Sequence, residues 1–512
     1  MSLLSGRIVI VGGGTAGWLA ALILRDAQLR AGQGGGGQVG TVTVVETSKI
    51  PTIGVGEGTT AVFRQMLKHL GLDEAEFMAA TGATVKYGIR HRDWRRIGHH
   101  YDGPIDDPHL VAPGVPLAQY ALASGRPLTE AHLFQALMDA GRAPVARIGD
   151  RLVPAGPFHH AYHFDQARAG MWLRSKARGV TRINAQVTGV QTGPAGITML
   201  ALEDGRRIEA DLFLDCTGFR RTLIGSLGAQ WMDYGDVLPV NRAMPFWLNH
   251  DPDTEIAPFT LAWAQGAGWM WQIPTRDRMG CGYVYSDLHT TPDQAQAEIE
   301  AALGHPIEPR ADIPIRAGRL RAPWLGNTVA LGLASSFLEP LEATSIHGTI
   351  VQLLLLAGWL DDPEGRARYN AAHARQVDDF RDFIRAHYLS ERRDTGFWRD
   401  VAGSHPAALT DRLADWANRM PERSDFAPFP MRLPHVEEQL WRPVLAGLGL
   451  LDRGAEKQAL GLRPAERRAT ATLHGELIDE YRKASQRCLG HREWLDLLEP
   501  LGSKADAEQL QH

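Results

Sequence analysis

A glycine motif near the start of the chain is the strongest chemical signal in the sequence. Gly12, Gly14 and Gly17 have the spacing G-x-G-x-x-G and follow a β-branched run at Arg7–Val11. The first glycine permits a tight turn, the second lets the backbone approach a pyrophosphate, and the third lets the next helix pack closely on the strand. The phosphates would lie at the positive end of that helix. The pattern predicts a dinucleotide site, although similar turns also occur in proteins that bind no nucleotide.

An acidic residue follows the next predicted strand. Residues 41–45 read TVTVV and end at Glu46, whose carboxylate could accept hydrogen bonds from ribose hydroxyls. The interval from the glycines exceeds the usual separation of about 20 residues. We attribute the excess to residues 32–40 (GQGGGGQVG), which predict a flexible surface loop.

A second candidate site could bind an anion. A buried strand over residues 327–333 is followed by FLEPLEATSIH and then by a long apolar helical pattern. Thr344 and Ser345 predict an N-cap for this helix, where free backbone amides and the helix dipole would attract negative charge.

Two further segments carry reactive or bulky side chains. Lys86 lies in ATVKYGI, where alternation directs it away from the apolar face, so a solvated edge strand is one interpretation. Trp269 and Trp271 share one face of a predicted strand, GWMWQIP, where they could equally be ordinary core.

Composition limits the class of protein. The 512 residues include 54 basic and 59 acidic side chains, a net charge of −5, which offers no basic face for nucleic acid or anionic membrane. We find no signal peptide and no apolar run long enough to span a bilayer, so a cytoplasmic protein is expected. The 3 cysteines are scattered and the 20 histidines show no zinc-type spacing, so we expect neither disulfides nor a metal.

Between these motifs, the sequence supports only a coarse assignment of helices and strands. Residues 60–70 and 163–179 predict helices, and residues 188–202 and 206–215 predict strands of a meander. Residues 91–160 show little periodicity and suggest an irregular insertion that lines a pocket.

Taken together, several motifs resemble the flavin-dependent tryptophan halogenase family. They are the GGGTAGW start, Gly54 to Glu57 (GVGE), Lys86 in TVKYGI, the GWMWQIP box and FLEPLE, and the match runs from about residue 6 to about residue 400. The resemblance implies an α/β fold with a Rossmann-type FAD module, like that of p-hydroxybenzoate hydroxylase, over residues 1–340. It further implies a mostly helical substrate module over 341–502 and a flexible tail over 503–512.

The implied activity is that of a two-component enzyme. A separate flavin reductase supplies FADH2, hypohalous acid forms from O2 and chloride or bromide at the flavin, and the oxidant travels to a small aromatic substrate. No second glycine motif follows a strand that could hold a nicotinamide cofactor, in agreement with an external reductant. Oligomeric state is left open, a homodimer being one possibility.

The resemblance also implies roles for particular residues. Lys86 would direct the oxidant, by hydrogen bonding or as a haloamine, and Glu342 would take the ring proton. Trp269 and Trp271 would separate flavin from substrate, the amides of Thr344 and Ser345 would bind halide, and His100 and Tyr101 would line the substrate pocket. The expected FAD-binding residues are Gly12, Gly14, Thr15, Ala16, Gly17, Glu46, Val187, Asp215 and Gly332.

The chain departs from the family at two places. Ala343 and Ser345 stand where the family commonly has serine and glycine, and because serine lacks glycine's freedom at positive φ, halide binding is expected to differ. Residues 426–449 lack the tyrosine-rich segment with which relatives hold the backbone of free tryptophan. We therefore expect an indole-type or other electron-rich arene as substrate.

Two other functions remain compatible with the sequence. A flavoprotein monooxygenase of the same fold would hydroxylate its substrate without halide. A flavin-binding protein without turnover would use Lys86 and Glu342 only structurally.

Overall fold

The computed structural model describes residues 3–35, 39–49, 56–107, 112, 114–403 and 406–499. The helices are α1 (Thr15–Gly35), α2 (Ala61–His69), α3 (Glu74–Thr81), α4 (Leu117–Ala123), α5 (Leu133–Asp139), α6 (Gln166–Lys176), α7 (Pro292–Leu303), α8 (Thr344–Trp359), α9 (Gly365–His387), α10 (Gly396–Gly403), α11 (Ala407–Trp416), α12 (Glu438–Gly447), α13 (Asp452–Leu460) and α14 (Pro464–Gln486). The strands are β1 (Arg7–Val11), β2 (Thr41–Glu46), β3 (Gly56–Gly58), β4 (Thr84–Lys86), β5 (Gly88–Arg92), β6 (His100–Pro104), β7 (Arg142–Ile148), β8 (Arg151–Pro154), β9 (Ala161–Asp165), β10 (Val180–Asn184), β11 (Val187–Gly193), β12 (Gly196–Leu202), β13 (Arg207–Ile208), β14 (Leu212–Asp215), β15 (Trp231–Asp233), β16 (Arg242–Leu248), β17 (Phe259–Ala264), β18 (Gly268–Pro274), β19 (Met279–Tyr285), β20 (Ile313–Pro314), β21 (Gly318–Leu320), β22 (Trp324–Leu325), β23 (Thr328–Ala330), β24 (Ser336–Phe337) and β25 (Cys488–Gly490).

A six-stranded sheet forms the base of the molecule, in the order β10-β2-β1-β14-β23-β22. Its strands are parallel except for the edge pair β22–β23. The central strand β1 is β-branched and buried on both faces, as expected of a parallel strand covered by helices and a second sheet. The carboxyl ends of β1, β2 and β14 meet at one edge, where ligands bind in sheets of this type.

A seven-stranded sheet, ordered β20-β16-β19-β18-β17-β5-β6, carries the tryptophan box. β18 pairs antiparallel with β17 and β19, while β5 joins β17 in parallel. A small sheet, β3-β9-β4, lies beside it and ends at Lys86. These two sheets place the lysine next to the strands that contain the tryptophans.

The second half of the described chain is mostly helical and packs onto both sheets. α8 contacts α1 and α9, and β25, near the end of the described chain, pairs with β7. Because of this return pairing, the division at residue 340 stays a proposal, and residues 503–512 lie outside the described part. None of the described helices is both long and apolar enough to cross a membrane.

Several predicted boundaries are wrong. α1 continues to Gly35 through the first glycines of the expected loop, because packing along the helix outweighs their low propensity. Residues 163–165 form the end of β9 rather than a helix, since Asp165 caps α6 through Ala167 N and Arg168 N. The predicted strand around Lys86 is broken at Tyr87 into β4 and β5, which join different sheets. Residues 91–160 contain β6, α4, α5, β7 and β8.

Candidate active site

Lys86, at the end of β4, is buried, with 1% of its surface exposed. Its Nζ donates a hydrogen bond to the carbonyl oxygen of Thr59 at 3.2 Å. Burial lowers the pKa of the amine to about 8, while the carboxylate of Glu342 acts in the opposite direction. The interpretation as a solvated edge strand is therefore wrong in one respect: β4 is an edge strand of the sheet β3-β9-β4, but its three residues are all buried, which alternation alone could not show.

Glu342 ends a 3-10 turn at Pro340–Glu342, immediately before α8. Its Oε1 lies 2.8 Å from Nε2 of His387 and 3.5 Å from Nε2 of His91. Burial alone would raise the pKa of Glu342, but the contacts with His387 and His91 outweigh it, and the pKa falls to about 2. Glu342 is thus a carboxylate at neutral pH, available to accept a proton.

His387 holds the carboxylate of Glu342 in place. Nδ1 of His387 lies 3.0 Å from the carbonyl oxygen of Phe383, which can only accept, so Nδ1 carries a hydrogen. Nε2 lies 2.8 Å from Oε1 of Glu342. The imidazole is therefore tied to the backbone of α9 through one nitrogen and orients the carboxylate through the other.

The start of α8 differs from the predicted N-cap. Thr344 and Ser345 are the first two residues of the helix, and the cap position is Ala343, whose methyl group supplies no hydrogen bond. The first amides of the helix therefore lack a capping side chain, which leaves them available to an anion. Ala343, not Ser345, has the left-handed backbone (φ 52°, ψ 38°), so the concern about positive φ at Ser345 is wrong.

A small cavity opens beside these amides. It is lined by Gly332, Thr344, Ser345 and the polar side chains of Ser335 and Gln352, among others. Gly332 also approaches the helix of the glycine motif, since a Cβ added to it would lie 3.0 Å from Cβ of Ala16. The anion site and the expected flavin site are therefore neighbours.

The glycine motif has the geometry that a dinucleotide needs. Gly12 has φ +115°, and a Cβ there would lie 2.2 Å from the carbonyl oxygen of Cys216. A Cβ on Gly17 would lie 1.9 Å from the carbonyl oxygen of Gly12, as close helix–strand packing requires. In contrast, a Cβ on Gly14 would meet no atom of the described residues within 4 Å, which leaves room for a phosphate.

Other residues expected around FAD divide into two groups. Glu46 lies beside the glycine turn and accepts a hydrogen bond from Nε1 of Trp18 at 3.3 Å, and the hydroxyl of Thr15 is buried without a partner. These two fit a bound dinucleotide.

Asp215 is fully buried and its carboxylate accepts hydrogen bonds from the amides of Thr217, Leu223 and Ile224. Its side chain shapes the loop after β14, and only its backbone is left to approach a ligand. Val187 begins β11, half-buried, at the edge of a separate three-stranded sheet.

Replacing Gly14 with alanine tests this assignment. We expect an unchanged melting temperature, because the new methyl group enters open space, and at least a tenfold lower affinity for FAD, because that space would hold the pyrophosphate. Flavin fluorescence titration measures the affinity. Gly475→Ala, also in open space but on α14, is the control and should bind FAD normally. Equal affinity in the two variants would contradict the assignment.

The two tryptophans of β18 are buried and lie 6.4 Å apart between ring centroids. Nε1 of Trp269 donates to Oε2 of Glu339 at 2.9 Å, and Trp271 packs flat against Gly282, where a Cβ would lie 2.1 Å from its ring. Both rings are thus held rigidly. This fits a wall between two compartments as well as it fits core packing.

A larger cavity, of about 400 Å³, lies on the other side of Glu342. His100 and Tyr101 line it, together with Leu122, Leu128 and Gly447. Tyr101 stacks on His91 at 4.6 Å, with the rings 10° from parallel, and His91 in turn faces Glu342. One histidine–tyrosine stack therefore connects the cavity to the carboxylate.

The fold brings together most of the predicted site residues. Residues 342–345 take part in two places. Thr344 and Ser345 line the anion cavity, and Glu342 contacts His91 of the His91–Tyr101 stack. His91 and His387 were missed, because they lie far apart in the chain and neither belongs to a recognisable motif. Gly54 and Val55 of the GVGE link lie outside the described residues.

The sheet topology, the glycine cradle and the buried lysine–glutamate pair define a flavin-dependent halogenase. The family model "Tryptophan halogenase" matches residues 7–461, and the chain belongs to that family. It is accordingly an FAD-dependent oxidoreductase that works with a separate flavin reductase, a halide and a tryptophan-like aromatic substrate.

Individual relatives agree along nearly the whole chain. The tryptophan 6-halogenase SttH of Streptomyces toxytricini is 36% identical, covering 91% of this chain and 92% of its own. The tryptophan 7-halogenase RebH of Lentzea aerocolonigenes is 33% identical, covering 93% and 95%. Among solved structures, BrvH, a flavin-dependent halogenase from Brevundimonas sp. BAL3, is 33% identical with a TM-score of 0.82, covering 96% and 99%.

Proposed function

We propose that this enzyme halogenates an indole-type or other electron-rich arene with hypohalous acid, formed from O2 and chloride or bromide and delivered by Lys86. The observation that carries the proposal is the buried amine of Lys86, whose pKa is lowered by burial and raised in part by the nearby charge of Glu342, the residue two positions before the first amide of the anion cavity. A structural role alone would not explain a buried amine whose hydrogen bond among the described residues is to the backbone carbonyl of Thr59.

The oxidant forms at one site and reacts with the arene at another. Reduced FAD, when bound, would supply two electrons to O2, and the halide would supply the other two as it is oxidised to hypohalous acid with release of water. The uncapped amides of Thr344 and Ser345 hold the halide beside the expected flavin site. The rigid pair Trp269 and Trp271 keeps the arene from the flavin, so that oxygen is not transferred directly.

Lys86 and Glu342 act on the arene itself. The ammonium of Lys86 donates a hydrogen bond to hypohalous acid and polarises the halogen towards the ring. The arene attacks the halogen and the O–halogen bond breaks, the departing hydroxide takes a proton from the Lys86 ammonium and leaves as water, and the ring proton passes to the carboxylate of Glu342, from which it returns to the amine. The hydrogen bond between His387 and Glu342 orients that carboxylate and lowers its pKa, so that it stays ionised until the proton arrives.

The pH dependence of turnover distinguishes the two roles open to the amine. Because the pKa of Lys86 is about 8, the ammonium is lost as the pH rises through that value. We expect product formed per FADH2 consumed to fall by about tenfold between pH 7 and pH 9, measured in single-turnover reactions with pre-reduced FAD. A yield that rises over the same range would indicate the haloamine route, which needs the neutral amine.

The charged side chains around the larger cavity indicate which class of substrate it accepts. Arg90 makes two hydrogen bonds of 2.9 Å to Asp102 and one of 2.6 Å to Asp139, and Arg126 pairs with Glu130 at 3.0 Å. The two guanidinium groups are already bound to carboxylates and are therefore poor partners for the carboxylate of a free amino acid. This pairing supports a substrate without the amino-acid backbone.

Competition between indole and tryptophan tests the substrate class. In a mixture of equal concentrations, we expect brominated indole to exceed brominated tryptophan by at least tenfold, as measured by mass spectrometry of both products. A preference for tryptophan would overturn the substrate proposal while leaving the halogenation mechanism intact.

The reaction itself is tested with FAD, NADH, a flavin reductase, O2, bromide and indole. We expect brominated product that depends on bromide. Hydroxylated product formed without bromide would instead indicate a monooxygenase, and unchanged indole with normal FAD binding would indicate a flavin-binding protein without turnover.

A further inference from the structure

A histidine–glutamate–histidine cluster lies at the centre of the site. Nε2 of His91, a carboxylate oxygen of Glu342 and Nε2 of His387 all lie within 4.8 Å of one another. Both histidine side chains have 0% exposure and Glu342 has 11%. The three residues have no spacing typical of metal ligands in the sequence. For that reason the sequence predicts no metal.

His91 is the unusual member of the cluster. It is fully buried, and neither of its ring nitrogens has a hydrogen-bond partner in the described structure. A buried imidazole without a partner loses its hydrogen bonds to water and gains none in return, which is unfavourable. Tyr101, stacked against its face, contributes no hydrogen bond, so the nitrogen that faces Glu342 is free to bind something placed between the two side chains.

His387 already has the arrangement of a metal-binding histidine. Its Nδ1 donates to the carbonyl oxygen of Phe383 at 3.0 Å, and this type of contact fixes Nε2 as the nitrogen that points at a metal. The distances from Glu342 Oε1 to the two nitrogens, 2.8 Å and 3.5 Å, bracket the separation of about 3.3 Å between tetrahedral ligands that are each about 2.0–2.1 Å from zinc.

We propose that His91, Glu342 and His387 form a binding site for a divalent transition-metal ion, with Zn²⁺ the best match, and that the ion reversibly inhibits the enzyme. Two imidazoles and one carboxylate suit Zn²⁺ and Co²⁺ better than Mg²⁺ or Ca²⁺. Three protein ligands leave the fourth position for water. Glu342 is 11% exposed, so an ion can reach the cluster at this side chain.

Binding must release a proton. In the free enzyme one hydrogen lies between His387 Nε2 and Glu342 Oε1, and both atoms are needed as ligands. The balanced step is therefore Zn²⁺ plus the hydrogen-bonded His387–Glu342 pair giving the zinc complex plus the one H⁺ that the two atoms shared. Inhibition follows because the ion occupies the carboxylate that would accept the ring proton, and this consequence alone rests on the proposed function.

The test uses the full-length protein, stripped of metal and free of chelator. Calorimetric titration with Zn²⁺ in two buffers of different ionisation enthalpy should show one site and release of about one proton. Co²⁺ should give the visible absorption of a four-coordinate complex. His91→Phe, which keeps the stack on Tyr101, should weaken Zn²⁺ binding at least 100-fold, and His91→Gln should do the same if the phenylalanine variant misfolds.

His435→Asn is the matched control. His435 is also buried and lies 2.7 Å from a carboxylate, that of Asp379, but it belongs to no three-residue cluster among the described residues. Its variant should bind Zn²⁺ like the wild type. Equal affinity in the His91 variants, or no saturable site in the wild type, would overturn the metal site. Tight binding without loss of halogenation would leave the site standing and would instead contradict the role of Glu342.

Discussion

Lys86→Met should abolish halogenation, with a fall of at least 1000-fold in product formed per FADH2, while the protein folds and binds FAD normally. Methionine has a similar length and no charge, so it can occupy the buried space at the end of β4 without requiring a partner for an amine. We expect a melting temperature equal to or above that of the wild type. Calorimetry and mass spectrometry of the indole reaction measure the two quantities.

Lys68→Met is the control for this substitution. Lys68 lies on the exposed face of α2, and its replacement should change neither property. If Lys86→Met retained more than a tenth of the wild-type yield, the amine would have no essential part in delivering the oxidant. If instead the variant were strongly destabilised, the lysine would be structural.

Glu342→Gln should lower halogenation by about 100- to 1000-fold, the usual effect of removing a general base. Glutamine preserves the shape of the side chain but cannot take the ring proton. Because the carboxylate raises the pKa of Lys86, its loss should also move the alkaline fall in activity to a lower pH. Steady-state rates from pH 6 to pH 9 report both effects.

Glu339→Gln provides a neighbouring comparison. Glu339 is buried one helical turn earlier, and Trp269 and Tyr388 donate hydrogen bonds to its Oε2. Burial raises the pKa of Glu339 to about 7, so a neutral glutamine should be tolerated. Activity at least tenfold above that of Glu342→Gln is expected. Equal loss in both variants would show that the sequence FLEPLE matters for packing rather than for proton transfer.

The FAD end of the molecule was predictable from the sequence because its constraints are local. The spacing of Gly12, Gly14 and Gly17 and the acidic end of β2 each follow from a few consecutive residues, and the structure places Gly14 in open space and Glu46 beside the turn. The pairing of the tryptophan strand with its neighbour was also predictable, since the turn between β18 and β19 is short.

The surroundings of Lys86 could not be predicted in the same way. Whether that lysine is solvated or buried depends on β9, β17 and the loop at Thr59, which lie far from it in the chain. The roles of His91 and His387 depend likewise on the approach of β5 and α9 to the turn before α8. At α8, residue type favoured Thr344 and Ser345 as the cap, whereas the left-handed backbone of Ala343 moves the helix start by one residue.

The central claim is that hypohalous acid is made at one place and used at another under the control of Lys86. The most direct measurement is the rate of bromide-dependent oxidant formation in Lys86→Met, with a β-diketone in solution to trap hypobromous acid. Our account predicts that the variant forms trapped oxidant at the wild-type rate while brominated indole disappears. Loss of both oxidant and product would contradict it, because the amine would then act in making the oxidant rather than in delivering it.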